Sequence, residues 1–133
     1  MSTATSLVTG VDFVSVPTKD LTAAMEFYGD VLGLPRSSVW QRPGEEALGA
    51  EFETGTVTIA LIACERMGIP FQPNKVPVAL RVEDVEAARA ELESRGVSFK
   101  GDTIDSGVCH QALFEDPDGN SLDLHHRYAP PAG

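Results

Sequence analysis

Cysteine, cations and long apolar runs are all scarce in this chain, and each scarcity removes a class of function. Its 133 residues include two cysteines, Cys64 and Cys109. They are too few and too far apart for a disulfide framework or a paired-cysteine zinc motif. Both lie in apolar stretches, which predicts buried, reduced thiols and a cytoplasmic protein. Ten Lys and Arg stand against twenty Asp and Glu, a formal charge of −10. A surface so short of cations is unsuited to a phosphate backbone or an anionic bilayer, so neither nucleic acid nor membrane is an expected partner. The longest unbroken apolar run is Ile59–Cys64, far below the roughly 20 residues of a membrane span. Met1–Gly10 lacks the cationic-then-apolar order of a secretion signal and reads as a flexible arm. Glycine-rich phosphate loops, a serine nucleophile elbow and a dinucleotide fingerprint are missing as well.

What is present is an ordinary globular balance, 42% hydrophobic and 23% charged, in a chain long enough for one domain with its own core. Phe13-Val14-Ser15-Val16 reads as a strand, after which Asp20 opens a helical pattern. Leu21, Ala24, Met25, Tyr28 and Leu32 recur on one helix face, and Gly33 suits the left-handed exit, giving a helix over 20–33. Strand-like runs follow at Val39-Trp40, Leu48–Phe52 and Thr56–Ala63. Then the pattern starts again: a strand at Val78–Val82, a helix over 84–95 capped by Asp84 and closed by Gly96, and runs at Val97–Ile104, Val108–Glu115 and Ser121–Arg127. Asp116-Pro117-Asp118-Gly119 is a turn signal that makes the last two runs an antiparallel hairpin. At an offset of 64, Val14 matches Val78, Asp20 matches Asp84 and Ala24 matches Ala88. The expected organisation is therefore a flexible arm over 1–10, one domain over 11–127 and a tail over 128–133. The domain is built from two modules, 11–65 and 76–127.

Three stretches carry a family resemblance: Val11–Leu34, with its Phe27-Tyr28 and Leu32-Gly33-Leu34; Val82–Val85 with its helix; and Phe114–Leu124, with Asp116-Pro117-Asp118-Gly119-Asn120. Together they make the chain resemble the vicinal oxygen chelate superfamily of glyoxalases, bleomycin-resistance proteins and extradiol dioxygenases. The resemblance implies an α+β fold in which two tandem βαβββ modules form a curled mixed sheet around a cleft. It also implies a homodimer. Family chemistry usually runs on a divalent metal held by two residues per module, and the corresponding positions here are Phe13, Thr58, Pro77 and Asp123. Phe13 and Pro77 have no side-chain donor and Thr58 is a poor one, so no cofactor is expected at these positions.

The three histidines, His110, His125 and His126, all fall in the final hairpin. Pairing across its turn sets His110 opposite His125 or His126, while Asp123 and His125 share a strand face. A relocated metal site, or an acid–base pair, is thus expected only from His110, Asp123 and His125. The leading expectation is a metal-free protein that binds a small organic ligand in a cleft between the modules, lined by Phe13, Thr58, Pro77, His110, Asp123 and His125. The rival is an isomerase or lyase using Asp123 with His110 or His125.

Overall fold

Asp20 and Asp84 begin the two helices in the same way, each carboxylate accepting the backbone N–H of the residue three positions on, at 3.1 and 3.0 Å. The structure is a computed structural model in which residues 6–130 are described; residues 1–5 of the expected arm and 131–133 of the expected tail lie outside them. Module one runs β1 (Phe13–Thr18), α1 (Leu21–Glu26), β2 (Arg36–Trp40), β3 (Gly49–Glu53) and β4 (Thr58–Ala63). Module two runs β5 (Val78–Arg81), α2 (Val85–Ser94), β6 (Phe99–Asp105), β7 (Cys109–Glu115) and β8 (Ser121–Arg127). The helix expected over 20–33 is α-helical only to Glu26 and widens to a π-helical turn over Phe27–Val31, which buries the adjacent Phe27 and Tyr28 together. Gly33, at φ 77°, ends it.

Each module folds into a four-stranded sheet of the same topology, β1-β4-β3-β2 and β5-β8-β7-β6, with the opening strand parallel to the closing one. The α+β tandem arrangement is the expected one, but the eight strands are divided between two sheets rather than joined in one. The opening strands β1 and β5 consequently keep one edge unpaired within the described residues. In both sheets, alternate residues face the helices: Val16, Leu61, Ala50 and Phe52 in the first, Leu122, Leu124, Ala112 and Phe114 in the second. These join Leu21, Ala24, Val85 and Leu92 in one continuous core, so the modules meet through their helix-bearing faces.

The Asp116–Gly119 turn locks that meeting. Asp116 accepts the buried Tyr28 hydroxyl at 2.7 Å, the Asn120 side-chain amide at 2.9 Å, and the backbone N–H groups of Asp118 and Asn120. Asn120 in turn donates to the Pro17 carbonyl and accepts from Asn74 N–H. Burial and the neighbouring Asp116 carboxylate hold the Tyr28 phenol protonated, far above its ordinary range. Both cysteines are free and buried. Among the described residues, no helix is long and apolar enough to cross a membrane.

Candidate functional site

A cavity of about 640 Å³ lies between the modules, within the range of small-molecule sites. Its walls are aliphatic: Val14 and Ile59 from the first sheet, Leu80 and Leu124 from the second, Ala88 and Leu92 from α2. Glu91 and Arg95 are the charged residues that border it from α2 and its end; Arg81 of β5 also borders it, but it is in register with His125 and its side chain leaves the sheet on the face opposite Leu80. These aliphatic residues belong to the alternating faces that meet in the core: Ile59, Leu92 and Leu124 are buried in it, and Val14, Leu80 and Ala88 pack against it half-buried.

None of the six residues expected to line a cleft reaches this cavity. Phe13 and Thr58 sit on the opposite face of the first sheet, away from α1. That face is strongly curled. Phe13 and Trp40, on the two outermost strands, bring their rings to 6.4 Å edge to face, and Ala60, on a strand between them, is fully buried. Thr58 gives its hydroxyl to Glu53 at 2.7 Å. Hydrogen bonds from Ser37 and Thr58 hold the Glu53 carboxyl below the usual range. Pro77 is exposed just before β5.

The hairpin pairs His110 with His126 and Gln111 with His125. His110 therefore projects on the helix side, whereas Asp123 and His125 project on the other, and the expected three-residue cluster does not form. Strand alternation is the reason: the register that sets His110 opposite His126 sends it through the sheet from Asp123. His110 instead stacks on Tyr128 at 4.7 Å and lies 3.4 Å from the Asp105 carboxylate, at the rim.

Register also revises the metal positions. Val14 pairs with Ile59, and its counterpart Val78 pairs with Leu122. The module-one counterpart of Asp123 is thus Ala60, not Thr58, because the closing strands are separated by one residue fewer than the opening strands. Phe13, Ala60 and Pro77 offer no donor atoms, and Asp123 alone is a carboxylate. Among the described residues, no three His, Cys, Asp or Glu side chains are grouped to hold a metal ion. This donor set does not fit the family's divalent metal.

Asp123 is nevertheless unusual. The residue is only 4% exposed, and its Oδ1 has no hydrogen-bond partner. Desolvation raises its pKa above the ordinary 3.8, against opposing contributions from His125 and a backbone hydrogen bond from Ala112. A carboxyl with a raised folded-state pKa stabilises below its unfolded pKa, and that contribution is lost as pH rises through the folded value. Asp123→Asn should therefore raise the melting temperature at pH 7, and the gain should vanish below about pH 4. Calorimetry across that range checks it; a variant that melts lower at pH 7 would show a hidden partner for the carboxylate.

The sequence signal that would have marked the cavity is slight. The cavity's aliphatic walls have the alternation of ordinary core strands.

A family model described as Glyoxalase/Bleomycin resistance protein/Dioxygenase superfamily matches residues 10–124. No curated protein matches the sequence. Among solved structures, TnmS3, an antibiotic binding protein from Streptomyces sp. CB03234, is similar at 26% identity and a TM-score of 0.76, over 92% of this chain and 99% of that one. A glyoxalase/bleomycin resistance protein/dioxygenase from Nocardioides gives 27% identity and 0.73, over 98% and 91%. A lactoylglutathione lyase from Agrobacterium tumefaciens shares the fold at 18% identity and 0.73, over 89% and 93%.

Proposed function

The chain belongs to the Glyoxalase/Bleomycin resistance protein/Dioxygenase superfamily, and on that premise we propose that it binds a small organic ligand in the apolar cavity between its modules. The observation that carries this reading is the cavity itself, whose aliphatic walls favour an organic body over a hydrated ion. The likeness to an antibiotic binding protein supports a role in binding. The donor-poor metal positions turn the reading away from metal-dependent lyase and dioxygenase chemistry.

An apolar compound should raise the melting temperature and be recovered unchanged. At a hundredfold excess over Kd the gain is about 2.7 kcal/mol, a shift of several degrees for a domain of this size. Ala88→Phe fills the cavity from α2 and should abolish the shift. Phe13→Asp, on the far side of the first sheet, should leave it intact. The reverse pattern would move the ligand to the outer face and overturn the proposal.

A second reading rests on the unpartnered Asp123 oxygen beside His125: an acid–base pair on the outer face of the second sheet, acting as an isomerase or lyase. Turnover of the bound compound, lost in Asp123→Asn with binding retained, would favour it.

The homodimer belongs to the same proposal, as does a cytoplasmic location. The unpaired outer edges of β1 and β5 offer backbone donors and acceptors to a second copy. Light scattering at micromolar concentration should give twice the 14.2 kDa chain mass; the monomer mass would refute it.

A further inference from the structure

Backbone hydrogen bonding is incomplete along one wall of the cavity. Each of residues 78–82 borders it, although their side chains leave the sheet on alternate faces. The strand therefore meets the cavity along its edge as well as with its aliphatic face. Val82 N–H donates to the His125 carbonyl at 3.0 Å. By strand alternation Val78, Leu80 and Val82 turn their N–H and C=O groups toward β8, and Ala79 and Arg81 turn theirs away from it. Among the described residues no strand lies beyond that edge, and no hydrogen bond outside the ladder takes up those groups. Ala79 and Arg81 are exposed, so the edge is open. Other polar groups at the cavity are occupied: Arg95 bonds Glu91 and the Val31 carbonyl, and the Thr54 hydroxyl bonds the Val57 carbonyl. Module one differs at the equivalent place. Pro17, the counterpart of Arg81 at the offset of 64, has no N–H, and its carbonyl accepts from the Asn120 side chain at 2.8 Å.

We infer that the cavity takes a peptidic ligand, whose aliphatic side chain enters it while the backbone of the same residue extends β5. The ligand residue gives its N–H to the Ala79 carbonyl and accepts from Arg81 N–H at its own C=O. The inference rests on the reading that the cavity binds a ligand. In an extended chain the N–H and C=O of one residue point the same way, so a residue with an amide on each side meets both protein groups. An isolated trans amide directs its N–H and C=O oppositely and meets only one. Main-chain bonds then supply affinity and the apolar pocket chooses the side chain, as in other added strands.

N-hexanoyl-leucine methylamide and its ester isostere, with oxygen in place of the leucine nitrogen, differ in the donor that Ala79 would receive. Titrated calorimetrically into the intact protein, the amide should bind about fivefold more tightly than the ester. Arg81→Pro removes the protein's donor at a position where module one already carries a proline, and should weaken the amide by a similar factor. Arg81→Ala keeps the N–H and should leave binding unchanged. Equal binding of amide and ester to wild type, or full-strength amide binding in folded Arg81→Pro, would overturn the edge assignment and leave the cavity reading standing; should Arg81→Pro not fold, the ester comparison decides alone. An amide preference confined to protein diluted to the monomer would give the edge to a second copy and overturn the assignment likewise. Failure of both compounds to bind a cooperatively folded protein, or binding unaffected by Ala88→Phe, would overturn the cavity reading itself.

Discussion

Asp116→Ala should lower stability by about 3–5 kcal/mol, among the largest single effects available in this chain. The carboxylate is buried and accepts four hydrogen bonds, two from backbone N–H groups of its own turn, one from Asn120 and one from the Tyr28 hydroxyl. Removing it leaves a phenol, an amide and two backbone donors facing a cavity, each with a desolvation cost of its own. Tyr28 and Asp116 also lie in different modules, so the loss weakens the joint between them as well as the turn. For a domain of this size the drop corresponds to roughly 10–20 °C in Tm. Tyr28→Phe removes a single bond while leaving Asp116 three donors, and should cost about 1–2 kcal/mol. Urea unfolding of both single variants and the double variant measures the coupling; a loss under about 1 kcal/mol in Asp116→Ala would mean that water or the neighbouring backbone takes over the acceptor role.

Gly49→Ala should cost about 3 kcal/mol through overpacking alone. A Cβ at this position would stand 2.5 Å from the Leu61 carbonyl oxygen and 2.7 Å from the Trp40 ring. The first contact is with backbone and cannot be relieved by a rotamer change, so β3 and β4 must separate locally. The second displaces the indole from its edge-to-face contact with Phe13. Trp40 is the only tryptophan, so its fluorescence reports the displacement directly and an emission shift should accompany the fall in Tm. Shortening the ring by Trp40→Leu in the Gly49→Ala background should recover only a minor part of the loss, because the carbonyl contact remains. Wild-type stability in Gly49→Ala would show that the strands give way more easily than their packing implies.

Much of this molecule is written locally. Asp20 and Asp84 cap helices because a carboxylate there satisfies a free N–H, and Gly33 ends the first helix because the chain must turn left-handed. Asp116-Pro117-Asp118-Gly119 closes the last hairpin, with the Gly119 N–H donating to the Asp116 carbonyl. Each such signal acts over three or four residues and needs no knowledge of the rest of the fold. The π-helical widening at Phe27 escapes this reading, since it accompanies the burial of two consecutive aromatic rings in a core assembled from distant segments.

The site was less legible because it depends on parity and on the meeting of modules. Two pairings of the final hairpin differ by one residue, and that residue sends His110 to one face of the sheet or the other. The same sensitivity makes Ala60, rather than Thr58, the counterpart of Asp123. Val14, Ile59, Leu80 and Leu124 have the alternation of core residues, and the alternation is obeyed; that they also border a cavity depends on how segments from both modules come together. The amino-acid sequence by itself determined the repeated module, its caps and turns, and the absence of side-chain donors at Phe13 and Pro77, all properties of residue type and near neighbours. Tertiary structure alone decided which faces are covered, that Asp123 is buried with an oxygen unpartnered, and that aliphatic residues of both modules enclose a cavity. Burial and pairing are relations between segments that only the folded chain brings into contact.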